Sequence, residues 1–173
     1  MNAPATLPEQ PLPTTPQELL NLLEKLGISY DLHHHEAVFT VQESSKLNSG
    51  IPGVHCRNLY LRDKKKKNFL IILANETQVD LKTLQSKLES GRLSFGSPDR
   101  LWEFLGIRPG SVCPFTVIND PNHLVQVVLD AQMMAAKIVN YHPLDNKMTI
   151  GLTPADLKKF FTHTGHSPLT LDL

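Results

Sequence analysis

Leucines at positions 19, 20, 22, 23 and 26 recur at helical spacing, and Thr15-Pro16-Gln17-Glu18 precedes them. That tetrad supplies a hydroxyl cap, a proline at the first helical position and a carboxylate at the third, a capping-box arrangement, and Gly27 supplies the stop. Residues 28–33 alternate as a strand does, and Thr40-x-x-Glu43 is a second capping box, opening a short helix through about Lys46 with a loop over 48–53. Apolar runs at 58–61 and 68–73 flank the charged stretch 63–67, which predicts a hairpin of two well-buried strands. Asp80 caps a helix carrying Leu81, Leu84 and Leu88, with Gly91 just beyond it. Ser97-Pro98-Asp99 repeats the cap-then-proline signal before Leu101, Trp102, Phe104 and Leu105, and Gly106 ends that element. Residues 115–118, 124–129, 137–141 and 148–152 are rich in β-branched side chains and separated by Asn, Asp, Pro and Gly, so they read as consecutive strands. Thr153-Pro154-Ala155-Asp156 starts a last helix, in which Leu157, Phe160 and Phe161 face a sheet and which Gly165 ends.

Strands and helices alternate without a regular βαβ repeat. This predicts a single mixed α/β (α+β) domain, with a central mixed sheet of six to eight strands surrounded by helices. The domain spans 14–173; residues 1–13, rich in Pro, Thr and Ala, read as a flexible tail with too little bulk to offset the entropy of ordering. The chain has 173 residues, 40% hydrophobic and 20% charged, which excludes collagen, coiled coil and wholesale disorder. Seventeen basic and seventeen acidic residues cancel, so any contact with nucleic acid must be local. Two cysteines make no disulfide framework, and the start MNAPATLPEQ lacks the basic and apolar regions of a secretory signal, which predicts the reducing cytoplasm. The longest apolar run, 69–74, is strand-sized, so no membrane span is expected. With no GxGxxG or GxxxxGK[ST] loop, neither a dinucleotide nor ATP has support, and no cofactor is expected.

Several residue groups carry candidate chemistry. His33-His34-His35 invites a metal, but alternation on a strand lets at most two of them share an ion, and no HExxH or CxxC accompanies them. Cys113 before Pro114 is a conceivable thiol nucleophile without a local signature, and an idle buried cysteine is the simpler reading. The turn Gly110-Ser111-Val112-Cys113-Pro114, at the mouth of the strand expected over 115–118, is either an ordinary tight turn or a row of backbone N–H groups able to bind a carbonyl oxygen or oxyanion. Lys64, Lys65, Lys66 and Lys67 crowd one hairpin turn. They are either a solvated guard against edge aggregation or, with His55, Arg57 and Arg62, a local phosphate-binding patch. His142, before Pro143 at a strand end, is a structural histidine, a ligand contact or a general base.

Taken in order, these segments are more specific than any one alone. His35-x4-Thr40-x2-Glu43, then Arg57-Asn58-Leu59-Tyr60-Leu61-Arg62-Asp63-Lys64-Lys65, then Gly110-x3-Pro114, then Tyr141-His142-Pro143-Leu144-x-Asn146 resembles the aminoacyl-tRNA editing domains related to the insertion domain of bacterial prolyl-tRNA synthetase. Within that superfamily the chain is most similar to the free-standing alanyl-tRNA(Pro) deacylases, the prolyl-tRNA synthetase associated domain proteins, over nearly all residues after the tail.

The resemblance implies hydrolysis in trans of alanine wrongly esterified to tRNA(Pro). A pocket built for proline rejects the smaller alanine by only about 1–3 kcal/mol per missing methylene, so a second, smaller sieve is needed. It implies that the backbone of Gly110, Ser111, Val112, Cys113 and Pro114 holds the ester carbonyl and its oxyanion, and that the family's lysine falls on Arg57 and its pocket histidine on His142. Arginine keeps the charge but is larger and transfers no proton near neutral pH. Asn58 and Leu32 are expected near the substrate, and Lys64 to Lys67 near the acceptor stem. The motif-matched positions offer no serine or cysteine paired with a base and no metal is expected; the resemblance implies water attack assisted by the vicinal ribose hydroxyl, with His142 as a pocket wall or orienting donor. The expected partner is the acceptor end of aminoacylated tRNA(Pro), with prolyl-tRNA synthetase or an elongation factor as candidate docking proteins. Three alternatives stay open: an acceptor-end binding module without hydrolysis, a deacylase for another small amino acid, and a metal-dependent enzyme built on residues 33–35.

Overall fold

The structure, a computed structural model, describes residues 10–38 and 40–173. The capping signals set the helices. Thr15, Thr40, Asp80, Ser97 and Thr153 each accept the backbone N–H three residues on, opening α1 (Pro16–Lys25), α2 (Val41–Asn48), α3 (Leu81–Leu88), α4 (Pro98–Leu105) and α6 (Pro154–Thr164). At Thr40 the box is reciprocal, with Glu43 returning a carboxylate to the cap N–H at 3.2 Å. Gly106 and Gly165 end α4 and α6 in the left-handed conformation. For α3 that position is held by Glu89 (φ 51), two residues before the glycine that the sequence offers as its stop.

The strands are β1 (Asp31–His34), β2 (Val54–Asp63), β3 (Asn68–Ala74), β4 (Leu93–Phe95), β5 (Val125–Asp130), β6 (Val139–Tyr141), β7 (Met148–Leu152) and β8 (Leu169–Leu171); α5 is the single turn Ala131–Met134. They form one eight-stranded mixed sheet in the order β1-β7-β6-β2-β3-β5-β8, with β4 beside β2. The mixed sheet with flanking helices is the expected architecture. β2 and β3 pair antiparallel from Cys56↔Ala74 to Arg62↔Asn68, the expected hairpin with β2 extended at its start. β5 lies parallel to β3, and β8 parallel to β5. The larger core cluster gathers α1, α4, α6 and one sheet face, with Phe115 edge-on to Phe160 at 5.1 Å; a smaller one lies under α3 around Leu61, Ile71 and Leu84.

Two expected strands differ. Residues 115–118 are not a strand but part of a 3-10 helix, η1 (Pro114–Asn119). Pro114 fixes a helical first position, the Thr116 N–H and hydroxyl both donate to the Cys113 carbonyl, and Asp120 N–H closes on Val117. Burial of Phe115 and Val117 is satisfied either way, so the apolar pattern does not discriminate. At 28–33, β1 begins only at Asp31, because the Ile28 N–H is taken by the Leu23 carbonyl in closing α1. Of the expected tail, residues 1–9 lie outside the described residues. Gln10 accepts from the Trp102 indole N–H at 3.1 Å and its carbonyl accepts from Arg108, while Leu12 packs on the main core. Among the described residues no helix is long and apolar enough to cross a membrane.

Candidate active site

β2 is flanked on one side by β6 only at Val54 and His55, and by β4 only from Leu61 onward. Between these pairings its edge has no strand beside it among the described residues, and there the sheet opens into a cavity of about 160 Å³. Ser44 and Asn48 of α2, His55, Cys56, Arg57 and Asn58 of β2, Asn75 after β3, Asn140 and Tyr141 of β6, His142, and Thr149 of β7 line it. This is smaller than the roughly 300–1,000 Å³ of drug-sized ligand sites and far more polar, suited to the end of a small polar ligand.

The turn that carries Asn75 is clamped from two sides. The Arg57 guanidinium donates to the carbonyls of Ala74 (3.3 Å), Asn75 (2.6 Å) and Thr77 (2.7 Å). Buried Asp130 accepts from the Ala74 N–H at 3.1 Å and the Thr77 hydroxyl at 2.5 Å. Arg57 therefore holds the wall of the cavity, and three of its N–H directions are occupied by backbone.

Two histidines are wired through one threonine. His142 Nδ1 lies 2.7 Å from the Met148 carbonyl and His35 Nδ1 lies 2.7 Å from the Glu36 carbonyl. A carbonyl only accepts, so each Nδ1 carries the proton. His35 Nε2, 2.8 Å from the Thr149 hydroxyl, is then the acceptor of that hydroxyl. The rings meet edge-on at 5.8 Å. In His142 the same tautomer leaves Nε2 as an acceptor, where the sequence reading allowed an orienting donor. Burial is the main cause holding the His142 pKa below its ordinary 6.5, with His35 and His55 adding to it and the Met148 carbonyl opposing. His142 is thus a neutral ring presenting a lone pair.

Asn140 is positioned as firmly. Its Nδ2 donates to the Pro52 and Val54 carbonyls at 3.0 and 3.3 Å, which fixes the amide orientation and leaves Oδ1 buried with no partner. Asn58 Oδ1 is a second buried acceptor without a partner. Gly151, opposite Asn140 in register, leaves room for that amide: a Cβ there would lie 2.8 Å from Asn140 Oδ1.

Arg57, Asn58 and His142 are thus brought together from distant parts of the chain. Leu32 is not: it is half-buried on β1 opposite Ile150 and packs against the core outside the cavity lining. No residue of 110–114 lines the cavity either. Gly110 (φ 94) is exposed and Cys113 is fully buried, its sulfur beside the Leu144 N–H, so the loop backs onto the turn that follows His142. Burial pushes the thiols of Cys113 and Cys56 up to about 12, which removes both as nucleophiles. Lys64 to Lys67 are exposed in the turn at the opposite end of β2. Of the three consecutive histidines, His35 reaches the lining residues Thr149 and His142 with its ring and His33 pairs with Thr149 in the sheet, and among the described residues no group of three His, Cys, Asp or Glu side chains could hold a metal ion. Asn140, Thr149 and His55 were not singled out for this cavity from sequence, since each contributes one ordinary polar residue from a different element. Clefts of about 310 to 610 Å³ among the described residues are larger but contain neither Arg57 nor His142.

Residues 35–160 match the model of the aminoacyl-tRNA editing domain. Prolyl-tRNA editing protein ProX of Acetoanaerobium sticklandii is 36% identical over 158 residues, 91% of this chain and 96% of that protein. Prolyl-tRNA synthetase associated domain-containing protein 1 of Xenopus laevis is 37% identical over 160 residues, 90% of this chain and 95% of that one. A crystal structure described as a candidate trans-editing enzyme for prolyl tRNA synthetase superposes with a TM-score of 0.68 at 19% identity, over 90% of this chain and 95% of that one, a likeness of fold.

Proposed function

The chain belongs to the aminoacyl-tRNA editing domain family, and from that premise we propose that it is a trans-editing deacylase that hydrolyses alanyl-tRNA(Pro). The observation that carries this reading is the small polar cavity in which Arg57, Asn58 and His142 converge, with His142 locked as a neutral acceptor. The esterified end of the tRNA enters the cavity and its limited volume admits a methyl side chain while opposing a pyrrolidine ring. His142 Nε2 accepts a hydrogen bond from the vicinal ribose hydroxyl or from the attacking water, orienting it toward the ester carbon. Water oxygen then bonds to that carbon as it gives one proton to His142 Nε2, and the same proton passes to the leaving ribose oxygen as the tetrahedral intermediate collapses with cleavage of the ester C–O bond. The buried amide oxygens of Asn58 and Asn140, which lack donors, favour a substrate that brings one, as an α-ammonium does. The backbone of residues 110–114 lies outside the cavity lining, beside the turn that follows His142, so its donors meet an oxyanion only at the edge of the cavity. Arg57 acts by positioning the Ala74 to Thr77 turn.

A single-turnover assay on alanyl-tRNA(Pro) tests this. His142→Ala is expected to lower the rate about 100-fold, the lower end for loss of a proton-handling group, with the fold retained. An unchanged rate would remove His142 from the mechanism. A second reading, binding of the acceptor end without hydrolysis, draws on the occupation of the Arg57 guanidinium by three carbonyls; tight binding with no turnover by the natural protein would favour it.

A further inference from the structure

A cleft of about 610 Å³ lies at the end of β2 remote from His142, between the β2–β3 turn, β4 and the start of α3. Arg62, Lys64, Lys66 and Arg92 stand in its wall against one carboxylate, Asp63. That carboxylate is already held by the backbone N–H groups of Lys67 (2.9 Å) and Gly91 (3.1 Å), and these donors keep its pKa below the ordinary value although burial alone would raise it. Asp80, next to Leu81 at the rim, is occupied in capping α3. The Arg62 Nε is buried with no partner. In the same wall Phe95, the last residue of β4, is 66% exposed, the most exposed large apolar side chain among the described residues.

A cationic cleft with one presented aromatic face is how proteins hold a nucleic-acid strand: cations meet phosphates and the ring stacks a base. We propose that this cleft binds the tRNA strand leading to the esterified ribose, with a base stacked on Phe95 and phosphates met by Arg62, Lys64, Lys66 and Arg92. The inference rests on the reading of the protein as a tRNA deacylase and extends it to a second contact. The spacing suits it. Arg57 at the cavity and Leu61, the register partner of Phe95, lie four residues apart on one face of β2, about 13 Å at roughly 3.3 Å per residue. A stacked strand rising about 3.4 Å per nucleotide covers that distance in about four nucleotides, and an extended one in fewer.

Filter binding of uncharged tRNA(Pro) tests the cleft without depending on hydrolysis. Phe95→Ala is expected to weaken binding about tenfold, within the range for loss of one stacking contact, and Phe95→Tyr to retain it. Arg92→Gln is expected to flatten the dependence of log affinity on log salt by about 0.7, the loss of one single-strand phosphate contact. Hydroxyl-radical footprinting should show the lost protection within the last few nucleotides of the 3′ strand. Unchanged affinity in both Phe95→Ala and Arg92→Gln, or lost protection elsewhere on the tRNA, would overturn the proposal and leave the cleft to a protein partner. If uncharged tRNA binds as described but alanyl-tRNA(Pro) is not hydrolysed, the deacylase reading fails and the cleft stands.

Discussion

The part proposed for His142 depends on one neighbour and on burial. The Met148 carbonyl fixes its tautomer and burial keeps it uncharged. Because its pKa in the fold is depressed below 6.5, the neutral form persists as pH falls through the ordinary histidine range, and only at lower pH does the ring protonate. Deacylation should accordingly hold through pH 6.5, with the acid limb of the pH–rate profile below it. The linked contribution to stability has the same sign, present above 6.5 and lost as pH falls through the lower folded value. A profile breaking above 6.5 would contradict this. Arg57 gives a prediction at the position where the resemblance implies a lysine. A lysine ammonium is a single point of donation without the planar fork that spans the carbonyls of Ala74, Asn75 and Thr77, so Arg57→Lys should lower stability by roughly 1–2 kcal/mol in chemical denaturation and should not raise kcat/KM. Sequence motifs placed Arg57, Asn58 and His142 in one site. The inward turn of the guanidinium was not legible, because its partners are backbone carbonyls at 74, 75 and 77 whose approach depends on the hairpin register and on Asp130, far along the chain.

At the scale of elements, the caps were legible because a hydroxyl or carboxylate before a proline or an apolar repeat has a local cause and a local result. The failures are elements whose form is decided by tertiary contacts: the 3-10 turn at Pro114–Asn119, the three-residue strands β4 and β8, and the one-turn α5. Leu32 lies outside the cavity lining for a related reason, since closeness in sequence to a motif does not give the face on which a strand residue points. Two substitutions probe the elements that frame the cavity. Gly151→Ala places a Cβ 2.8 Å from Asn140 Oδ1 and 3.1 Å from Ile138 Cγ2, and should cost about 1–3 kcal/mol in thermal or denaturant unfolding while displacing the amide and lowering deacylation. Gly110→Val meets no neighbour but forces a β-branched residue to φ 94. Its effect should fall chiefly on kcat through the shifted backbone donors, and an unaltered kcat would take residues 110–114 out of oxyanion binding.

For the whole molecule, seventeen charges of each sign cancel, so attraction to tRNA comes from where the cations sit. The cavity at one end of β2 is small and polar, and the four cations of the cleft line its other end. On the proposed reading, one strand joins a site for the aminoacyl ester to a site for the RNA that carries it. Such an arrangement predicts binding that weakens steeply with salt despite the neutral chain, and chemistry that depends on the size of the esterified residue rather than on a metal. The most direct measurement is a deacylation time course at neutral pH on tRNA(Pro) charged in parallel with alanine and with proline, with and without a chelator. Rapid loss of alanine with proline retained, unaffected by the chelator, is the expected result. Persistence of both esters, or equal loss of both, would contradict a size-selective deacylase, and inhibition by the chelator would contradict a metal-independent one.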